Sequence, residues 1–405
     1  MIYLADWLLT GEGSPVRNGW IQVEGNRIVA TGSASGLPEG VPVQRFAGCA
    51  LLPGLVNAHC HLELTTLQGR LDSGNSFPVW VEQLRAYTAG LDSTSYHHAA
   101  YEGVRQLLAG GCTTVLDVGN TGDALPVLAA SPLRAFACVE TLGLDPALAE
   151  PRFDAARSRI ESHRGEKGLP TDRFRPGIAP HAAYSMSPEL LRRVLDHQKS
   201  LGLPVTIHAA ESREEAEMFA SGTGPLADYC RRIYPDAPRH HGTSPVRWLE
   251  ANGLFPDGLI LVHGNILDEA DMEILARRKA TVVHCPSSHA FFGHPRFPYE
   301  ALRARGINVA LGTDSLASGD SLSMLEQMRL FAEAYPEVPL DEILTLASTH
   351  GAHALGLSDV GVLKAGNQAD FIAVSENATE EPPKAFGKLS TIVLAGKSCD
   401  ILAGV

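Results

Sequence analysis

LLPGLVNAHCHLE, residues Leu51 to Glu63, runs from an apolar segment through a Pro53-Gly54 break to His59 and His61, two positions apart. Side chains alternate faces along a β-strand, so this spacing puts both imidazoles on one face, where they can converge on one ion. Cys60 between them points the other way and is expected to pack. Glu63 shares the histidine face and is a candidate to orient a ligand imidazole or to contact substrate.

Outward from this stretch, short apolar runs alternate with amphipathic ones over residues 51–356. Strand candidates are Val56 to Leu62, Thr113 to Val118, Arg134 to Glu140, Arg175 to Ala179, Val205 to Ala209, Leu259 to His263, Thr281 to His284 and Val309 to Thr313. Between them lie helical stretches such as Val79 to Leu91, Tyr101 to Ala109, Ala147 to His163, Pro188 to Leu201, Asp268 to Lys279 and Tyr299 to Arg305. Ser187-Pro188-Glu189 marks one start, with Ser as N-cap and Pro in the first turn. Eight strand-helix units in about 300 residues predict an α/β fold of the (β/α)₈ TIM-barrel type rather than a doubly wound sheet. No GxGxxG follows any of the strands.

The two ends read differently. Residues 1–50 hold short strands with turn punctuation, including a tight hairpin at Val23 to Ile28, and similar signals return after residue 360. A small composite β-sandwich, residues 1–50 with 357–405, is expected to bracket a catalytic barrel at 51–356.

Composition narrows the partners. The 405 residues, 44% of them hydrophobic, suffice for one large core and a satellite. A net charge of −13 without a basic stripe disfavours nucleic acid. No apolar run reaches the length of a membrane span, and the N-terminus lacks a basic leader. Seven scattered cysteines without a CxxC argue against a disulfide framework and for a reducing cytoplasm. A small-molecule substrate is the expected partner, and a homo-oligomer is compatible with everything above.

In such barrels the chemistry sits at the C-terminal strand ends. Reading each strand to its end yields His59 and His61, then His181, His208, His263, His284 and Asp314. His59, His61, His208 and Asp314 would offer three imidazole nitrogens and one carboxylate oxygen to a divalent cation, leaving a position for water. Asp314 could also take a proton from that water, which ionises near neutral pH beside the cation. Glu211, three residues past His208, is either a general acid for a ring nitrogen or the opening of the acidic run Glu211, Glu214, Glu215, Glu217. His97-His98 and His240-His241 read as solvated loop histidines. Cys285 is expected to pack, and Tyr234 to Pro245 forms a long connection that could cap the site.

PGLVNAHCHLEL, IHAAES, LVHG, HCPSS and ALGTDS, in this order and at these strand ends, resemble the amidohydrolase superfamily, in particular its cytosine deaminase-like branch of aminohydrolases and chlorohydrolases. The resemblance spans essentially the whole chain. It implies one metal ion, zinc or alternatively iron, held by His59, His61, His208 and Asp314. It also implies that Glu211 shuttles protons, that His263 polarises the water and that His284 supports the site without ligating. Binuclear relatives use a carboxylated lysine on the fourth strand. Here only Lys167 and Lys199 lie between His61 and His208, neither at a strand end.

Glu211 in HxxE implies deamination or dehalogenation of a nitrogen heterocycle, with ammonia release the commoner outcome. His181 stands where relatives place a substrate-contacting histidine, and Tyr184 or Ser185 could line the same wall. HCPSSHAFFGHPRF puts His289 where Asn is usual and adds Phe291, Phe292, His294 and Arg296. Rings and a guanidinium there suit a planar anionic substrate; packing on the barrel rim is the alternative.

NAHCHLELTTLQGR, HAAESREEAEMFASGTGPLADY and HCPSSHAFFGHPRFP are most similar to bacterial aminodeoxyfutalosine deaminases of the alternative menaquinone route. That resemblance implies an adenine nucleoside carrying a benzoate as substrate. Adenosylhomocysteine, methylthioadenosine or guanine deamination, chlorohydrolysis and cyclic-amide hydrolysis are the alternatives, with a non-catalytic scaffold further off.

Overall fold

A computed structural model describes residues 1–74, 76–164, 172–235 and 242–375, with strand backbone at 389–394 and 397–399. Sixteen strands follow one another among the described residues. Five come first: β1 (Ile2–Leu8), β2 (Val16–Arg17), β3 (Gly19–Glu24), β4 (Arg27–Ser33) and β5 (Val43–Pro53). The next eight are β6 (Leu55–Cys60), β7 (Cys112–Gly119), β8 (Arg134–Thr141), β9 (Phe174–Pro180), β10 (Thr206–Ala209), β11 (Ile260–His263), β12 (Thr281–His284) and β13 (Asn308–Leu311). Three close the chain: β14 (Phe371–Ser375), β15 (Leu389–Leu394) and β16 (Lys397–Cys399).

The first five and last three form one eight-stranded sheet, ordered β16-β15-β14-β5-β1-β3-β4 with β2 beside β1. Both ends of the chain therefore build the same sheet. Gly25, with φ +59, turns the β3–β4 hairpin at the expected place. β5 carries the sheet past residue 50 to Pro53, which pairs with Phe371. Only Gly54 then separates it from β6, and a Cβ there would fall 2.2 Å from Thr113 Oγ1. Glycine is what lets the chain pass so close. A buried Arg134–Asp370 ion pair, at 3.3 Å, ties the sheet to the start of β8.

The eight middle strands make two four-stranded parallel sheets, β6-β7-β8-β9 and β10-β11-β12-β13. Single parallel bridges link them at both edges, Cys60 with Asp314 and Ala182 with His208. One apolar cluster takes Val56 and Ala58, Leu116 and Val118, Phe136 and Cys138, Ala179, Ile260 and Val262, Val283 and Ala310. Both sheets thus face one interior. Neighbouring strand residues such as Val115, Ala135, Ile178, Ile207, Leu261 and Leu311 join the larger cluster that also holds the helices. Burial on both faces explains why these strands read as continuous apolar runs.

Helix Pro188–Leu201 starts and stops where the sequence places it, capped by Ser187 and ended by Gly202 in the left-handed region. Helix Ser93–Ala109 begins eight residues earlier than expected, because Asp92 caps it by accepting from Ser95 N. His97 and His98 consequently sit on the exposed face of that helix and not in a loop. His240-His241, and most of the connection expected to cap the site, lie outside the described residues.

Candidate active site

The C-terminal ends of the parallel strands bring the predicted histidines together. β6 and the residue after it supply His59 and His61, with ring centroids 4.7 Å apart. His208 on β10 completes a triangle, its Nε2 lying 3.1 Å from His59 Nε2 and 3.3 Å from His61 Nε2. Asp314, just past β13, puts Oδ1 3.7 Å from His59 Nε2 and 3.6 Å from His61 Nε2. Gly312 makes this approach feasible, since a Cβ there would sit 2.9 Å from His59 O. The amides of Thr313 and Asp314 both donate to that oxygen, at 3.1 Å.

Three of the four donors are aimed from behind. His61 Nδ1 donates to Val118 O at 2.7 Å and His208 Nδ1 to His181 O at 2.8 Å. Both Nε2 atoms therefore carry lone pairs, and two lone pairs 3.3 Å apart repel unless a cation lies between them. Ser288 and Ser318 donate to Asp314 Oδ2 at 2.7 and 2.8 Å, leaving Oδ1 for the histidine side. Burial, followed by the neighbouring His59, lowers His61 to about 3. Burial also lowers His181 to about 4 and His263 to about 3. Burial would raise Asp314, but the His59 contact and the surrounding imidazoles hold it well below the usual carboxylate range. Neutral imidazoles and an ionised carboxylate are the donor set a divalent cation requires, so these residues could hold one.

Glu211 and His263 face the same point. His263 Nε2 lies 3.5 Å from Glu211 Oε1. The turn carrying Glu211 is held by Glu215 Oε2, which accepts from Glu211 N at 2.7 Å, and by Asn265 Nδ2, which donates to Glu211 O at 3.0 Å. Burial, then the charges of Asp314, Glu215 and Glu214, raises the Glu211 carboxyl well above the usual range. A carboxyl raised in this way holds its proton more firmly and is suited to deliver it to a bound group. Ala210, His263 and Asp314 have φ of +54, +74 and +58, and are three of five non-glycine residues in this region among those described. Such backbone strain gathers at functional sites.

A cavity of about 520 Å³ opens over this cluster. His61, His181, His208, Glu211, His263 and Asp314 line its floor, while Phe77, Trp80, Tyr184, Tyr229, Arg85, Arg152 and Arg159 contribute to its walls. That is the size range of small-molecule sites. His181 Nδ1 bonds Ser185 Oγ at 2.6 Å, which fixes the ring against the floor.

Four residues expected to contact substrate do not line the cavity. Glu63 is buried and turned away, accepting from Thr121 N, Thr121 Oγ1 and Gly122 N at 2.8–2.9 Å. It ties the turn after His61 to the loop after β7, because three short donors outcompete solvent for a buried carboxylate. His289 Nε2 bonds Pro295 O at 2.8 Å and braces its own loop. Phe292 packs behind the wall, on Trp80 and Phe77 at 5.2 and 5.7 Å. Arg296 is exposed, paired with Glu300 and Glu337 and stacked over Tyr335 at 4.2 Å. His284 is buried against Phe297 at 4.0 Å, away from the floor.

The structure adds residues the motifs did not reveal. Arg152, in helix Ala149–Arg164, lines the cavity with no ion-pair partner among the described residues. Glu140, the penultimate residue of β8, is a buried carboxyl on the same wall, raised to about 8 first by burial and then by Glu63. A carboxylate at a third strand end is a readable signal; an arginine inside a helix with no clear apolar face is not.

Comparison with known proteins agrees with this geometry. The model of the amidohydrolase family matches residues 50–405. A 5-methylthioadenosine/S-adenosylhomocysteine deaminase of Pelotomaculum thermopropionicum is 30% identical over 97% of this chain and 89% of its own length. An aminodeoxyfutalosine deaminase of Deinococcus radiodurans is 30% identical over 87% and 84%. Among solved structures, an adenosine deaminase from Xanthomonas campestris with bound zinc superposes with a TM-score of 0.81 at 26% identity, over 98% of this chain and 92% of that one. The chain is a member of the amidohydrolase family, hydrolases acting on C–N bonds.

Proposed function

We propose that this protein hydrolytically deaminates an adenine-type nucleoside, 6-aminodeoxyfutalosine first, releasing ammonia. The observation that carries the reading is Glu211, a buried carboxyl poised 3.5 Å from His263 directly beside the His59–His61–His208–Asp314 cluster. His59, His61, His208 and Asp314 would hold one divalent cation, zinc in the first instance. What such an ion supplies is Lewis acidity that makes a water nucleophilic near neutral pH.

The chain's own groups handle the protons. Water adds to the carbon bearing the amine while His263 orients it and Asp314 accepts its proton. Glu211 gives its proton to the adjacent ring nitrogen, so no charge accumulates on the ring. The amine then leaves as ammonia with the proton from Asp314, and the hydroxyl proton restores Glu211. His181 and Tyr184 flank the ring.

The outer wall supports a substrate with an aromatic acid at its far end. Phe77, Trp80 and Tyr229 offer ring faces, and Arg152 a guanidinium with no ion-pair partner among the described residues. Methylthioadenosine or adenosylhomocysteine is the second reading, favoured by the Pelotomaculum relative. We further read the two parallel sheets as one closed (β/α)₈ barrel that opens with β6 at Leu55, not at 51, and runs to 356, and the terminal sheet as part of a composite β-sandwich domain built from both ends of the chain. The buried thiols of Cys60, Cys112, Cys138, Cys230 and Cys285 fit a cytoplasmic setting.

Ammonia release from purified, zinc-loaded protein tests the reading against 6-aminodeoxyfutalosine, methylthioadenosine, adenosylhomocysteine and guanine. Turnover of the benzoate-bearing nucleoside at the highest kcat/KM is expected. Absence of ammonia from every amino-heterocycle would overturn the deaminase assignment.

A further inference from the structure

Glu140 is a buried carboxyl, one of whose oxygens has no hydrogen-bond partner among the described residues. It is 5% exposed, and its Oε1 bonds no described residue. His208 Nδ1 lies 3.8 Å from this oxygen, but its proton is given to His181 O at 2.8 Å. Leaving a carboxyl oxygen unpaired inside a protein is costly and calls for a partner from outside the fold. Glu140 lines the cavity beside Thr141 and His181, one strand end away from the histidine floor.

Which donor meets it follows from the chemistry of the proposed substrate, on whose nucleoside reading this inference rests. An adenine ring bound for deamination commits its amine and the adjacent ring nitrogen to Glu211, His263 and the floor. Its remaining ring nitrogens accept hydrogen bonds and donate none. The donors left on an adenine nucleoside are the hydroxyls of its sugar. In either protonation state the carboxyl keeps a lone-pair oxygen to receive them.

We propose that Glu140 is a specificity-determining residue that accepts a hydrogen bond from a ribose hydroxyl of the substrate. It selects ribonucleosides over deoxynucleosides, by the rule that a site built to hydrogen-bond a hydroxyl rejects an analogue lacking it. Glu140→Ala removes the acceptor, and Glu140→Gln keeps the shape with a neutral carbonyl.

The test is a set of kcat and KM values for wild type, Glu140→Ala and Glu140→Gln on adenosine, 2′-deoxyadenosine and 3′-deoxyadenosine. Wild type is expected to prefer adenosine over at least one deoxynucleoside by about 10-fold in kcat/KM, the upper range of a hydrogen bond between neutral groups. Glu140→Ala should lower adenosine turnover by that factor, chiefly through KM, and leave that deoxynucleoside within about twofold. Glu140→Gln should retain part of the preference. Equal losses on all three nucleosides would assign Glu140 a structural role and overturn the proposal while sparing the deaminase reading. Failure of wild type to release ammonia from any of the three overturns this assignment, and the same failure on 6-aminodeoxyfutalosine, methylthioadenosine and adenosylhomocysteine overturns the nucleoside reading as well.

Discussion

The floor of the cavity and its outer wall are built on opposite plans. On the floor, donors are fixed from behind: Val118 O holds His61, His181 O holds His208, and Ser288 with Ser318 hold Asp314. On the wall, Phe77 and Trp80 stack ring on ring, and a few long side chains such as Arg85, which reaches Tyr229 Oη at 3.0 Å, complete the surface. Rigid strand ends suit a reaction that tolerates little displacement, whereas helices suit a surface that sets substrate choice. Changes to the floor should therefore cost turnover, and changes to the wall should cost selectivity.

The largest effect is expected at Asp314. Asp314→Asn removes a ligand charge and a proton acceptor together, and should lower kcat/KM by roughly 10⁴-fold. Elemental analysis should show bound zinc falling in parallel. Full metal content with full activity would break the assignment of the floor.

Glu211→Gln should come next, lowering kcat by about 10³-fold, within the range of general acid–base catalysis. Metal content should stay at the wild-type level, because Glu211 contacts His263 and not the His59–His61–His208 triangle. Zinc loss in this variant would merge two roles that the geometry separates.

The floor was legible in the sequence because strand periodicity sets the direction of a side chain. His59 and His61 two apart, with His208 and Asp314 at later strand ends, could be assigned to one face before any coordinates. The wall was not legible for the same reason. His289, Phe292 and Arg296 follow β12 directly in sequence, yet Gly293, in the left-handed region, ends the short helix Pro286–Phe292, and the following loop carries Arg296 outward to Glu300 and Glu337. Arg152 reaches the cavity from a helix of low amphipathicity whose register against β8 only packing decides. Glu63 was misassigned because its face was right and its partners, Thr121 and Gly122, lie 58 and 59 residues away.

A smaller effect should come from the supports of the floor. Ser288→Ala combined with Ser318→Ala frees Asp314 Oδ2 without touching a proposed ligand, and should cost about 10–100-fold in zinc affinity or activity. Competition with a chelator reads the affinity directly. An unchanged zinc dissociation constant would mean that the strained backbone at Asp314, φ +58, positions the carboxylate unaided.

Two arginines sharpen the contrast at its weak end. Arg152 lines the cavity without an ion-pair partner among the described residues, so Arg152→Ala should raise KM about 10-fold for a nucleoside with a carboxylate tail, consistent with loss of a charge-assisted hydrogen bond. Its effect on unsubstituted adenosine should be within about twofold, since that substrate offers it no anion. Arg296 was the anion-binding candidate in the sequence, but its guanidinium is satisfied by Glu300, Glu337 and the carbonyl of Ala334 at the surface. Exposed pairs of this kind contribute little, so Arg296→Ala should leave kcat and KM within about twofold on every substrate. KM values for both variants on the charged and neutral nucleosides decide the matter. If Arg296→Ala and not Arg152→Ala selectively weakens the anionic substrate, the wall lies on the β12 side of the barrel and the cavity has been assigned the wrong rim.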